Sequence, residues 1–204
     1  MSGLARDWAD LLPDHGSIGA DLLARWSEPH RRYHDLSHLA HALVALAEVG
    51  GTSRPERLAI WFHDAVHTGR AGRDERDSAA LAARLLATAG LAPAEISEVE
   101  RLVLVTIEHA PAPADAAGAR VSDADLAILG APPEQYRASV AALRAELATE
   151  GSGDWPTVRL ARVAALLAAD PLFHTAPGRA LWLDQARRNL LAEQRSLGNT
   201  ATGA

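Results

Sequence analysis

The chain has 204 residues, a formal net charge of −6 at pH 7 and no cysteine, and 48% of its residues are hydrophobic. That length suits one domain with a sizeable core, and the absence of cysteine removes disulfides, thiolate zinc sites and cysteine nucleophiles together. The acidic balance, with no lysine- or arginine-rich run, argues against general nucleic-acid binding, which needs a basic stripe; a nucleotide held by a few local arginines stays compatible. No basic-then-apolar leader pattern opens the chain and no apolar run reaches the length of a membrane span, so a soluble, cytoplasmic protein without membrane contact is expected.

Alanine and leucine dominate the apolar residues, which favours helices. A short helix with Trp8, Leu11 and Leu12 is expected before Ser17, which could cap a second helix carrying Ile18, Leu22, Leu23 and Trp26. Pro29 suits the first turn of a third helix, running through His34 and His38 to about Val49 and ended by Gly50-Gly51. Pro55 opens the next, whose Leu58, Ile60, Trp61 and Phe62 lead to His63-Asp64. A polar loop, Thr68 to Arg73, follows. Asp74 could cap a helix ended by Gly90, and Pro93 begins another that leads to His109. After Pro111 and Pro113, an Ala/Gly-rich loop precedes a short helix capped by Ser122 or Asp123 and ended by Gly130. Pro132-Pro133 open a helix through Tyr136 and Leu147, Gly151 to Gly153 form a turn, and Asp154 caps a helix through Leu167. A last helix carries Trp182, Ala186 and Leu190, and residues 198–204 form a disordered tail. The expected fold class is all-α, a single helical domain over residues 1–197.

Three polar motifs interrupt these helices. His34 and His38 stand four residues apart, a spacing that stacks two imidazoles on one helix face. His63-Asp64 closes an apolar run; neighbours on a helix point about 100° apart, so both reach one ion only at a helix end or kink. Asp123 and Asp125 head a further helical run. Together these are mixed nitrogen and oxygen ligands suited to a divalent transition metal. Asp125, two residues beyond Asp123, should point elsewhere on a helix and reads as structural or as support for a ligand.

In order and setting, His38, His63-Asp64 and Asp123 resemble the His…His-Asp…Asp signature of HD-domain metal-dependent phosphohydrolases. Arg31 to His38, the Trp61-Phe62-His63-Asp64 block, Asp123 to Gly130 and Ala186 to Leu190 are similar to a bacterial subfamily of predicted metal-dependent HD-superfamily phosphohydrolases. The likeness spans roughly Trp26 to Leu197. It implies an HD-type helical bundle with His38, His63, Asp64 and Asp123 as metal ligands. It further implies His34 as general acid at the leaving oxygen, and Asp64 as the group that orients or deprotonates the attacking water. Arg31 would clamp phosphate. Glu75 with Ser78 matches a Glu-x-x-Ser element in which Glu75 supports a ligand or a bound water; its plain reading is an acid in a helix's first turn. His67 and His109 would extend the site or hold a second metal, although a histidine at a helix C-terminus is also ordinary dipole complementation, and the subfamily often has tyrosine at position 67.

The cofactor implied is one or two ions of Mn, Fe, Ni, Co or Zn, with Mg as a further option. The substrate class is a small phosphorylated molecule, a nucleotide among the candidates, hydrolysed at a phosphomonoester or pyrophosphate bond by metal-activated water. The competing readings are a non-catalytic HD-fold sensor of metal or nucleotide, and a di-iron HD oxygenase.

Overall fold

Residues 58–62 set the architecture. Leu58, Ala59, Ile60, Trp61 and Phe62 are all 0% exposed, so successive side chains pointing in every direction meet protein, and the helix that carries them must be surrounded. A computed structural model describes residues 3–150 and 154–201 of the chain. Among them every regular element is helical and no strand occurs. The buried helix is α4 (Arg54–Phe62). Around it pack α1 (Gly3–Leu11), α3 (Leu36–Glu48), α5 (Asp74–Thr88), α6 (Pro93–Val105) and α7 (Ala116–Leu126), with α5 lying mainly along α6. Helix α2 (Gly16–Trp26) bridges α1 and α3.

The rest of the chain builds a second wall. A 3₁₀ turn (Ala127–Gly130) continues α7, and α8 (Pro133–Glu150), α9 (Trp155–Ala168), α10 (Ala176–Gly178), a π turn (Arg179–Leu183) and α11 (Asp184–Ala201) follow. Helix α11 packs along α9 and over the 3₁₀ turn. There the Asn189 amide donates to the carbonyls of Leu129 and Ala131. Gly130 is required by proximity, since a Cβ there would sit 2.7 Å from the Trp182 Cα. No helix among the described residues is long and apolar enough to cross a membrane.

Local signals account for most helix starts. Ser53 and Glu56 form a reciprocal capping box on α4, and Asp154 caps α9 through the Thr157 amide. Four expectations are corrected. His15, not Ser17, stands at the N-cap of α2. The third helix starts at Leu36 rather than near Pro29, with Asp35 as its cap. The backbone amides of Arg32, Tyr33 and His34 instead all donate to one carboxylate oxygen of Glu146, and that contact fixes the segment outside a helix. Helix α7 is capped by Asp115, which moves Ser122 and Asp123 from the helix start to its later turns. Asp74 is not a cap either: inside the first turn of α5 it accepts from the Thr68 amide and hydroxyl and from the Arg70 amide, folding the polar loop back. Beyond these four, helix α11 continues through Ala201 where a tail was expected; the Gly151 to Gly153 turn and residues 202–204 lie outside the described residues.

Trp26 ties this frame to the polar residues above it. Its indole N–H donates to the Trp61 carbonyl at 3.0 Å in the last turn of α4, and its ring lies 6.1 Å from the His38 ring and 5.5 Å from that of His63. Trp26→Phe keeps most of the apolar volume but leaves that buried carbonyl unpaired. It should therefore destabilise the fold by about 1–3 kcal/mol, read as a lowered denaturant midpoint with unchanged slope.

Candidate metal centre and acid–base pair

Helix α4 runs out of apolar residues at His63, its C-terminal boundary residue. The His63 Nδ1 faces the Ile60 carbonyl at 2.8 Å, which directs Nε2 away from the helix. There it lies 3.1 Å from His38 Nε2, delivered by the first turn of α3. Asp125 Oδ1 sits 3.1 Å from His38 Nε2 and 3.4 Å from His63 Nε2. Asp64, in the turn beyond α4, places Oδ2 3.1 Å from His63 Nε2 and 3.7 Å from His38 Nε2. His38 and His63 are buried, and the Asp64 and Asp125 side chains are only 15% and 14% exposed.

These separations suit a cation. Ligand atoms about 2.1 Å from one ion lie about 3.0–3.4 Å from each other in octahedral or tetrahedral order. The electrostatics agree. Burial disfavours charge on His63, but Asp64 and Asp125 outweigh it and hold the imidazole well above its ordinary range. Burial likewise works against the two carboxylates, yet His63 holds both well below theirs. The cluster attracts positive charge, and a bound metal takes the place of such a proton.

Beside it lies a second group. His34 Nδ1 is 2.5 Å from Glu146 Oε1, and His67 Nε2 is 3.2 Å from the same oxygen; the two rings lie with centroids 4.3 Å apart, tilted by 35°. His34 Nε2 reaches to within 4.0 Å of Asp64 Oδ2. Burial opposes the charged form of His34, but Asp64 and the hydrogen bond to Glu146 outweigh it and raise its pKa. His109 behaves in the opposite way. Burial first, with the Arg162 cation nearby, pushes it down to about 4, so it is neutral at pH 7. Its Nε2 lies 3.6 Å from Asp125 Oδ2 and its Nδ1 3.3 Å from the Ser122 hydroxyl. His109 adopts a left-handed φ of 52°, rare for a residue with a Cβ, and this turns the chain into the site.

Both groups of donors, His38-His63-Asp125 and His34-His67-Glu146, are close enough to hold a metal ion. The second is the poorer fit, because two donors in direct contact at 2.5 Å leave no room for an ion between them; it is a hydrogen-bonded pair.

Several expected site residues stand elsewhere. Asp123, 0% exposed, turns both oxygens to the segment before α10, accepting from the His174 amide and from the Thr175 amide and hydroxyl. It locks that segment down, and Asp125 takes the place in the cluster expected of it. Arg31 is not open to phosphate: its guanidinium is spent on the carbonyls of His34, Asp64 and Ala65 and on Glu28. Among the described residues, no hydrogen bond or ion pair joins Glu75 to the cluster, and its buried Oε2 has no hydrogen-bond partner; Ser78 instead binds the Val66 amide. Glu146 went unnoticed in sequence because its partners lie more than a hundred positions away and it reads as part of a solvated helix face.

The cluster opens on a cleft of about 150 Å³ whose walls include His34, His109, Asp125, Tyr136 and Arg162. No protein-family model matches the chain, and neither curated proteins nor solved structures yield a match.

The two neighbouring aspartates should separate cleanly. Asp125→Ala should abolish retention of Mn or Zn, measured as metal per chain, while leaving the fold intact. Asp123→Ala should retain metal but lose at least about 3 kcal/mol of stability, because three donors lose a charged acceptor. Equal metal loss in both would contradict this assignment.

Proposed function

We propose that the chain is a metal-dependent phosphohydrolase of the HD type, acting on a phosphomonoester or pyrophosphate bond of a small molecule. The observation that carries this reading is the juxtaposition of a four-donor cluster with a carboxylate-held histidine. His38, His63 and Asp125 present donor atoms 3.1–3.4 Å apart, Asp64 adds an oxygen 3.1 and 3.7 Å from the two imidazoles, and His34 stands next to them on Glu146. The order of His38, His63 and Asp64 agrees with the HD signature, with Asp125 in place of Asp123.

His38, His63, Asp64 and Asp125 would hold the metal. When bound, a divalent ion supplies Lewis-acid polarisation of a phosphoryl oxygen and lowers the pKa of a coordinated water. The protein's own groups supply the rest. Asp64 Oδ2, between the imidazoles and His34, orients the attacking water and takes its proton. Against burial, Asp64 and Glu146 raise the pKa of His34 and so favour its charged form, from which it gives its proton to the leaving oxygen as the phosphorus–oxygen bond breaks. Glu146 is a positioning residue. One of its oxygens holds His34 through Nδ1 and so orients the ring, while the other accepts three backbone amides that hold the segment bearing His34. Neutral His109 accepts or donates a hydrogen bond without adding charge. The direct His34–Glu146 contact favours one ion over two.

The test is hydrolysis of p-nitrophenyl phosphate and of inorganic pyrophosphate by the Mn- or Fe-loaded protein, with and without chelator. Chelator-sensitive turnover is expected. His34→Ala should keep its metal and lose roughly 10²–10⁴-fold in kcat, with Glu146→Gln between the two. Metal binding without release of phosphate would favour a sensor, and unchanged turnover in His34→Ala would remove the acid from the mechanism.

A further inference from the structure

A phosphate entering this cleft meets Asp64 and Asp125 at the cluster and Glu146 behind His34, three carboxylates held in the ionised form. An anionic substrate needs a cation besides the metal, and Arg31, committed to backbone carbonyls, does not provide it. The facing wall does. Helix α9 turns Arg159 and Arg162, one helical turn apart, toward the cleft. Arg159 is buried and neutralised: its guanidinium binds both oxygens of Glu193 and approaches the Tyr136 hydroxyl. Arg162 is exposed, and among the described residues no carboxylate pairs with it. Its charge is nonetheless felt by His109 across the cleft.

The space between is small, with one polar and one apolar side. A volume of about 150 Å³ is below the roughly 300–1,000 Å³ of clefts that take drug-sized ligands. Leu126, Val140, Leu143 and Leu166 form its greasy side.

We propose that Arg162 is the anion-binding residue of this cleft, gripping the phosphoryl oxygens of a small phosphomonoester whose short organic part packs on the apolar wall of α8 and α9. The substrate class rests on the hydrolytic reading above; the anion site does not. A guanidinium suits the task because its planar fork matches two phosphate oxygens at once and never loses its charge. Arg159, locked by Glu193, steadies the helix face from which Arg162 projects.

Calorimetric titration of inorganic phosphate into the Mn-loaded full chain tests the site without requiring turnover. Arg162→Ala should weaken phosphate roughly 10- to 100-fold, the equivalent of one charged hydrogen-bonded contact, with metal content unchanged. Arg162→Lys should restore part of the loss, and Arg70→Ala, on the outer loop, should have no effect. In turnover, Arg162→Ala should raise KM for p-nitrophenyl phosphate by the same factor with a smaller change in kcat, and glycerol phosphate should be preferred over a nucleoside monophosphate. Loss of phosphate binding in Arg162→Ala, with a parent that binds phosphate but hydrolyses nothing, would uphold the anion site and sink the hydrolytic reading. Phosphate bound equally by Arg162→Ala with metal retained would overturn the inference, as would a metal-loaded parent that binds no phosphate. A preference for the nucleotide would overturn the size argument.

Discussion

Two imidazoles and two carboxylates share one largely dry space, and the rest of the structure is arranged so that they can. Burying such groups singly would cost several kcal/mol each, so they persist only as a mutually paired set. Helix α4 creates the situation. From Leu58 to Phe62 it is apolar on every side, and it then presents His63 and Asp64, so whatever surrounds the helix must also supply partners at its end. The first turn of α3 brings His38, the last turn of α7 brings Asp125, and Trp26 closes the apolar floor against both rings. The charges that make the cluster costly to bury also make it a place where positive charge is welcome.

The second organising contact is Glu146. One carboxylate oxygen gathers three consecutive amides and the other holds His34, so one side chain from α8 both keeps residues 32–34 out of a helix and aims the imidazole that stands over the cluster. Arg31 works on the same segment from the opposite side, stitching it to the turn that carries Asp64. His34 and the cluster are therefore positioned by separate supports that meet in the cleft. This is the geometry preorganised acid–base chemistry needs.

Much of this was legible in the sequence. The apolar run into His63-Asp64 announces a buried helix ending in ligands, and the proline and glycine punctuation places most helices. Local capping was readable at Asp154, where donor and acceptor lie three residues apart. Legibility fails where the deciding partner is distant. The helix expected from Pro29 is displaced by Glu146. Asp123 and Asp125 are equivalent in composition, and only the true start of α7 at Asp115 tells which faces the cluster and which the loop before α10. Arg31 has the right chemistry for phosphate, but three carbonyls claim it. The misses at the site, Arg31, Asp123 and Glu146, concern polar side chains whose hydrogen bonds cross from one element to another, which no local periodicity records.

The central claim is that His38, His63, Asp64 and Asp125 enclose one cation. Anomalous diffraction from crystals grown with Mn tests it directly. The account predicts a single strong peak at ordinary metal–ligand distances, about 2.0–2.3 Å, from the Nε2 atoms of His38 and His63 and from carboxylate oxygens of Asp64 and Asp125. A peak on Asp123, a peak between His34, His67 and Glu146 alone, or no peak near His63 would contradict it.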